Sequence, residues 1–299
     1  VEELDVLRAK GEVDKEIYVI ERLHKDESDK GEARLALHFD QTVPLARYVA
    51  QNFNDLTFPF KRYQMQRVWR GERPQKGRFR EFYQCDIDVI GVDNLPISFD
   101  TEVAAIMYEA LTGLNIGKVQ LRISNRKIGF GLFDSIGLTN EISVLILREL
   151  DKIGKISTEE VDNNILEVCR SHSINFHVMH ENYEKVMRFM HKKFQTSADL
   201  KAAALEFFPN FTHDDFIKGI EELSSVLDNL SHLPGHAVVA DLSIVRGLDY
   251  YTGTVYETQL LDVPEFTGSV CSGGRYDDLA GSYINKHLPG VGISIGFSR

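Results

Sequence analysis

The stretch from Phe60 to Gly91, FKRYQMQRVWRGERPQKGRFREFYQCDIDVIG, restricts the fold more than any other part of the chain. It reads as two long antiparallel strands joined by a basic, glycine-containing loop. Between residues 61 and 80, eight basic side chains (Lys61, Arg62, Arg67, Arg70, Arg73, Lys76, Arg78, Arg80) accompany one acid, Glu72. That is a local charge of +7 in a chain whose net charge is −11. Such a concentration of cations needs solvent or an anionic partner. Side chains alternate along a strand, so Arg80, Phe82, Gln84, Asp86 and Asp88 share one face of the second strand, and Phe79, Glu81, Tyr83, Cys85, Ile87 and Val89 share the other. The first face runs cation, ring, amide, carboxylate, carboxylate. At about 3.3 Å per residue, Phe82 and Asp88 stand roughly 20 Å apart, enough for a nucleotide at one end and a small polar molecule at the other.

Composition narrows the class. The 299 residues, 43% hydrophobic, supply one large domain and a small second one. No apolar run approaches the ~18 residues that span a bilayer, and no basic-then-apolar leader opens the chain, so a soluble protein is expected. Cys85, Cys169 and Cys271 are far apart and in no CxxC spacing, which suggests neither a disulfide framework nor a zinc site and fits a reducing cytoplasm. With a net charge of −11 and a pI near 5.4, a general nucleic-acid-gripping surface is excluded. Any RNA contact must be local.

In chain order, residues 1–32 hold a short helix-like start, an apolar run at Ile17 to Ile20 and a charged loop. ARLALHFDQTVPLARYVAQNF reads as a strand turning at Asp40 into an amphipathic helix whose packing side is Val43, Ala46, Tyr48, Val49 and Phe53. An Asp or Thr ahead of a helix usually caps it, and Pro44 suits a first turn, so capping and ligand contact both stand for Asp40 and Thr42. Ile97 to Leu114 predicts a helix and VQLRISN a strand. Residues 126–235 carry apolar residues at helical spacing and read as an inserted helical module, which a packing spacer would explain. From Ala237, the pieces AVVADLS, TGTVYETQLL, GSVCSGG and GVGISIGF predict strands of a curved antiparallel sheet. The expected division is 1–125, 126–235 and 236–299.

Four ordered motifs carry a resemblance over nearly the whole chain. RGERPQKGRFREFYQ resembles motif 2 of class II aminoacyl-tRNA synthetases. VRGLDYYTGTVYE and CSGGRYDDLAG resemble the two signatures of histidyl-tRNA synthetases, and GVGISIGFSR is similar to motif 3. The resemblance implies an α+β fold, a class II synthetase-like antiparallel sheet flanked by helices. It also implies a motif 1 segment before the first residue and an anticodon-binding domain after the last.

What the family does then defines expectations for particular residues. Histidine would be activated with ATP to histidyl-adenylate and transferred to tRNA(His), by a homodimer with magnesium. Arg70 and Arg246 are the expected catalytic arginines, on either side of the α-phosphorus. Asp40, Thr42 and Gln84 are expected at the histidine ammonium and Asp88 and Tyr251 at its imidazole, with Tyr250 and Tyr276 as walls and Gln41, Arg70 and Arg246 also at the amino acid. Glu72, Arg78, Phe82 and Arg299 are expected at ATP. The family pattern in many bacteria has Glu at positions 40 and 88, and Asp shortens the reach of both. Adenylation uses the substrate carboxylate as nucleophile, so arginine forks rather than a Ser-His-Asp set are the expected equipment. A non-catalytic regulatory subunit of ATP phosphoribosyltransferase and a simple anion-binding module are the alternatives, and the joint presence of Arg70, Gln84, Asp88 and Arg246 favours the enzyme.

Overall fold

The computed structural model describes residues 1–8, 16–24, 34–71, 73, 77, 79–150, 152, 156–172, 176–244, 251–266, 268–277, 279–281 and 283–298. The chain forms two units, one built mainly from Val1–Leu95 and Tyr276–Arg299, the other from Pro96–Gly247 and Tyr251–Arg275.

In the first unit, strands β1 (Glu2–Glu3), β2 (Val19–Ile20) and β3 (Leu35–Ala36) form a small antiparallel sheet with β3 central, and helix α1 (Leu4–Arg8) follows β1. Helix α2 (Thr42–Gln51) buries Val43, Leu45, Ala46 and Val49. Leu45, Ala46 and Val49 join Ile90, Ala280 and Leu288 in one apolar cluster, whose leucine, isoleucine and valine side chains each contribute about 1.5–3 kcal/mol by their burial. Tyr48, expected on the packing side, is 47% exposed. It lies two residues from Ala46, about 200° around the helix, so it faces away from the side that Leu45 and Val49 complete.

The stretch at 60–91 folds as expected. Strands β4 (Phe60–Trp69) and β5 (Glu81–Ile90) pair antiparallel from Phe60↔Ile90 to Trp69↔Glu81. Gly77 in the connecting loop takes a φ of +75°, a left-handed conformation natural to glycine.

The second unit opens with α3 (Ser98–Gly113) and β6 (Val119–Asn125). Then come α4 (Arg126–Ser135), α5 (Asn140–Leu150), α6 (Thr158–Ser171), α7 (Phe176–Met190), the short strand β7 (Lys193–Phe194), α8 (Ser197–Phe207) and α9 (Asp214–Asn229). Asn125, Ser157 and Thr196 cap α4, α6 and α8 by accepting from backbone N–H groups. Gly131 and Gly219 let α4 and α9 cross closely. A Cβ at Gly131 would meet the Phe216 backbone nitrogen at 2.6 Å, and one at Gly219 would meet Ile128 at 2.8 Å. Strands β8 (Val238–Asp241), β9 (Thr254–Leu260) and β10 (Cys271–Tyr276) follow.

The chain then re-enters the first unit as β11 (Gly290–Gly296), antiparallel to β5. The main sheet has eight strands among the described residues, and flanking helices complete the α+β fold. One departure from the antiparallel expectation stands out: β6 and β8 run parallel. The helices between them act as a long crossover that returns the chain in the same direction, which a hairpin cannot do.

Candidate active site

Three strands of the first unit build a polar floor. Directly opposed residues of antiparallel neighbours share a face, so the register sets Arg62, Gln64 and Gln66 of β4 beside Asp88, Asp86 and Gln84 of β5, and these beside Gly292, Ser294 and Gly296 of β11. Gln84, Asp86 and Asp88 are 7%, 2% and 3% exposed. The face that reads as amide and acids in the sequence is therefore buried, and its neighbours are polar groups and glycines rather than apolar side chains.

Glycine on β11 is what leaves room for those acids. A Cβ on Gly292 would sit 2.1 Å from Asp88 Oδ1. One on Gly290 would sit 2.3 Å from the Tyr276 ring, whose hydroxyl donates to Asp88 Oδ1 at 3.0 Å. On the other side, Arg62 Nη2 stands 2.8 Å from Asp88 Oδ2, close enough for an ion pair though poorly directed for a hydrogen bond. Arg62 also donates to Gln64 Oε1 at 2.6 Å and to the Gln41 carbonyl at 3.2 Å, and Gln64 passes a hydrogen bond to Gln66. Burial pushes the Asp88 carboxyl up, while Arg62 and the Tyr276 hydroxyl pull it back toward the charged form.

The start of α2 meets this floor. Gln41 Nε2 donates to the Gln84 carbonyl at 2.9 Å, and Gln84 Nε2 donates to Ser294 Oγ. Asp40 is buried, and its Oδ1 accepts from the Val43 N–H at 3.4 Å, a long and weak cap. Thr42 opens the helix. Gln41 Oε1, Gln84 Oε1 and Asp86 Oδ1 are buried without a hydrogen-bond partner among the described residues. All three are acceptors, against one buried unpartnered donor on the same face, Arg62 Nε. A neighbourhood of unmet acceptors with surplus carboxylates is matched chemically by a cation rich in N–H groups.

At the other end of the face, Arg70 lies between two rings, 4.6 Å from the Phe39 centroid and 5.3 Å from that of Phe82, with Nε donating to the Phe39 carbonyl. These contacts hold a planar fork at the mouth of the floor without a carboxylate to neutralise it in any of them. Tyr251 belongs to the second unit, where Gly274 makes room for its ring: a Cβ there would meet it at 2.9 Å. Glu72, Arg78, Arg246, Tyr250 and Arg299 lie outside the described residues.

The family model described as Histidyl-tRNA synthetase matches residues 2–299. The chain belongs to the histidyl-tRNA synthetase family. Histidine--tRNA ligase of Thermobifida fusca (strain YX) is 51% identical over 299 residues, which is 100% of this chain and 65% of that relative. The crystal structure of histidyl-tRNA synthetase from Nostoc sp. PCC 7120 superposes with a TM-score of 0.82 at 40% identity, covering 99% of this chain and 64% of that one. An ATP phosphoribosyltransferase regulatory subunit/histidyl-tRNA synthetase structure from Bacillus halodurans C has a TM-score of 0.78 at 21% identity, over 99% of this chain and 70% of that chain, and shares the fold. The chain thus spans just under two thirds of the length of the curated histidyl-tRNA synthetase relatives it matches.

The sequence singles out Gln84 and Asp88 but gives no role to Arg62, Gln64, Asp86 or Ser294. Strand alternation already put Asp86 on the right face. Placing Arg62 beside Asp88 needed the hairpin register, which the loop alone does not dictate.

Proposed function

We propose that this chain is the catalytic part of a class II histidine-tRNA ligase, activating L-histidine with ATP and transferring it to the 3′ end of tRNA(His). In the first step a histidine carboxylate oxygen bonds to the α-phosphorus, the bond from that phosphorus to the β-phosphate oxygen breaks, and pyrophosphate leaves. In the second, a ribose hydroxyl of the terminal adenosine takes the histidyl group and AMP leaves.

The observation that carries this reading is the floor around Asp88. An imidazole N–H fits a buried carboxylate held between Arg62 and Tyr276, which has lone pairs to spare beyond those two partners. The histidine ammonium fits the acceptors of Gln41, Gln84 and Asp40. A site built to bond both nitrogens of the ring disfavours amino acids lacking them, by as much as about 10⁴ to 10⁵ in favourable cases.

Arg70 holds the α-phosphate and the carboxylate together. Phe82 supports the adenine, and since one of its contacts is the Arg70 guanidinium, phosphate binding would draw that guanidinium off the ring. Glu72, Arg78, Arg246, Tyr250, Tyr251 and Arg299 keep their proposed roles through the motifs that contain them. Magnesium is proposed as the companion of ATP's phosphates, with no step assigned to it, and among the described residues no group of three or more His, Cys, Asp or Glu is arranged for a metal ion. No helix among the described residues is long and apolar enough to cross a membrane. Tyr63 and Met65, 78% and 67% exposed on the outer side of β4, suit burial against a second copy in a homodimer.

Histidine-dependent exchange of labelled pyrophosphate into ATP tests the proposal. A ligase exchanges only with histidine. A regulatory subunit that merely binds histidine, or a simple anion binder, exchanges nothing.

A further inference from the structure

Asp86 is the charged group of the floor to which the proposed chemistry gives no task. It faces Gln84 and Asp88 on its own strand, Arg62 and Gln64 on β4, Gly292 and Ser294 on β11, and the charge of Asp40 ahead of α2. Three carboxylates therefore share a buried neighbourhood with one guanidinium. None of that guanidinium's hydrogen bonds goes to Asp86: Arg62 Nη2 sits 2.8 Å from Asp88 Oδ2, the bonds to Gln64 and the Gln41 carbonyl take its other terminal donors, Nε has no hydrogen-bond partner among the described residues, and Asp86 feels only the charge. Asp86 Oδ1 has no hydrogen-bond partner among the described residues, and its charged form is favoured by the Ser294 hydroxyl and by the charge of Arg62.

We infer that Asp86 holds a proton until the amino acid binds and releases it as the substrate's ammonium enters, so that uptake of histidine is coupled to proton release. The inference rests on the reading of this floor as the histidine pocket. Before binding, a second bare carboxylate beside Asp88 is poorly tolerated in so buried a place, and the proton is the neutralising charge at hand. Burial first, and then the charge of Asp88, push the Asp86 carboxyl up to about 7. Between the two neighbours, the Arg62 contact settles which one stays ionised: Asp88 keeps the guanidinium and Asp86 keeps the proton. The arriving ammonium supplies the missing positive charge, Asp86 becomes a carboxylate that can accept from it, and the proton passes to buffer.

The test is calorimetric titration of L-histidine into the full chain, in buffers of differing ionisation enthalpy, between about pH 6 and pH 8, for the unaltered chain and for Asp86→Asn. Free histidine's own titration is common to both, so the difference isolates Asp86. The unaltered chain should release close to one more proton per histidine than Asp86→Asn at about pH 6, falling toward none at about pH 8. Ser294→Ala, which removes the hydrogen bond favouring charge, should move that curve to higher pH. An infrared band of a protonated carboxyl, present without histidine and lost when it binds, should be missing in Asp86→Asn. Equal proton counts in the two proteins, with histidine bound by both, overturn the coupling and leave the pocket standing. An absent acid band before histidine is added also overturns it. No histidine binding by the unaltered chain overturns the pocket and the coupling together, and the missing heat tells that failure from the others.

Discussion

Gly292 stands directly across from Asp88, and a single methyl group on it would lie 2.1 Å from the Asp88 carboxylate and 2.7 Å from the Ile87 carbonyl. The acid thus occupies space that exists because the neighbouring strand has no side chain there. Gly292→Ala must displace Asp88 or bend β11. Overpacking of this kind costs about 1–3 kcal/mol, so the KM for histidine should rise about fivefold or more in pyrophosphate exchange. A KM for ATP that changes little would confine the damage to the amino-acid end.

Arg62 should act through Asp88 rather than on substrate. Arg62→Met keeps much of the aliphatic bulk and removes the charge 2.8 Å from Asp88 Oδ2. Without that cation Asp88 joins Asp86 as a carboxyl that favours its neutral form, and histidine affinity should fall most at low pH. The pH profile of histidine affinity checks this: a parallel profile in both proteins would leave Arg62 a packing residue.

In the second unit, Arg275 donates from Nε to both oxygens of the fully buried Asp100 at 3.2 and 3.1 Å and from Nη2 to the Pro96 carbonyl. Breaking such a pair strands a buried charge. Arg275→Met should lower stability by about 3–5 kcal/mol in urea unfolding, and the double variant Asp100→Leu with Arg275→Met should recover part of that loss. Additive losses would argue that the two groups are not coupled.

Asp241 carries the pH dependence with the opposite sign to a buried acid left alone. Burial works to raise its carboxyl, but Arg122 at 2.7 Å, the Ser243 hydroxyl and Lys193 at 2.9 Å together hold it below the usual range. Its folded value lies under its unfolded one, so its contribution is complete above the ordinary aspartate range, near pH 4, and is lost as pH falls through the depressed value. Asp241→Asn should be less stable at neutral pH and lose less on acidification than the unaltered chain. Urea midpoints at neutral pH and at about pH 3 decide it.

The hairpin at 60–91 was legible because both its signals are local: alternation sorts the β5 residues onto faces, and a basic loop marks the turn. The ends of β6, β9 and β11 were close to their predicted segments for the same reason. The helices at Arg126–Ser135 and Ser197–Phe207 were not singled out within the helical stretch, since glycines in the first and an alanine-rich face in the second blur the apolar stripe. The parallel pairing of β6 with β8 depends on where a crossover of more than a hundred residues lands, which no local pattern carries. Within the site, Gln84 and Asp88 were visible along one strand. Arg62, Ser294 and the space above Gly292 become neighbours only through register, and β11 lies some 200 residues further along the chain.

The affinity of L-histidine for the full chain and for its Asp88→Ala variant, measured by calorimetry alongside a check that the variant unfolds cooperatively, decides whether Asp88 anchors the imidazole. Loss of a charge-assisted hydrogen bond in so buried a place is worth about 1.5–3 kcal/mol, so affinity should weaken by at least about tenfold, with ATP binding retained. A folded Asp88→Ala protein that binds histidine as tightly as the unaltered chain would contradict that role.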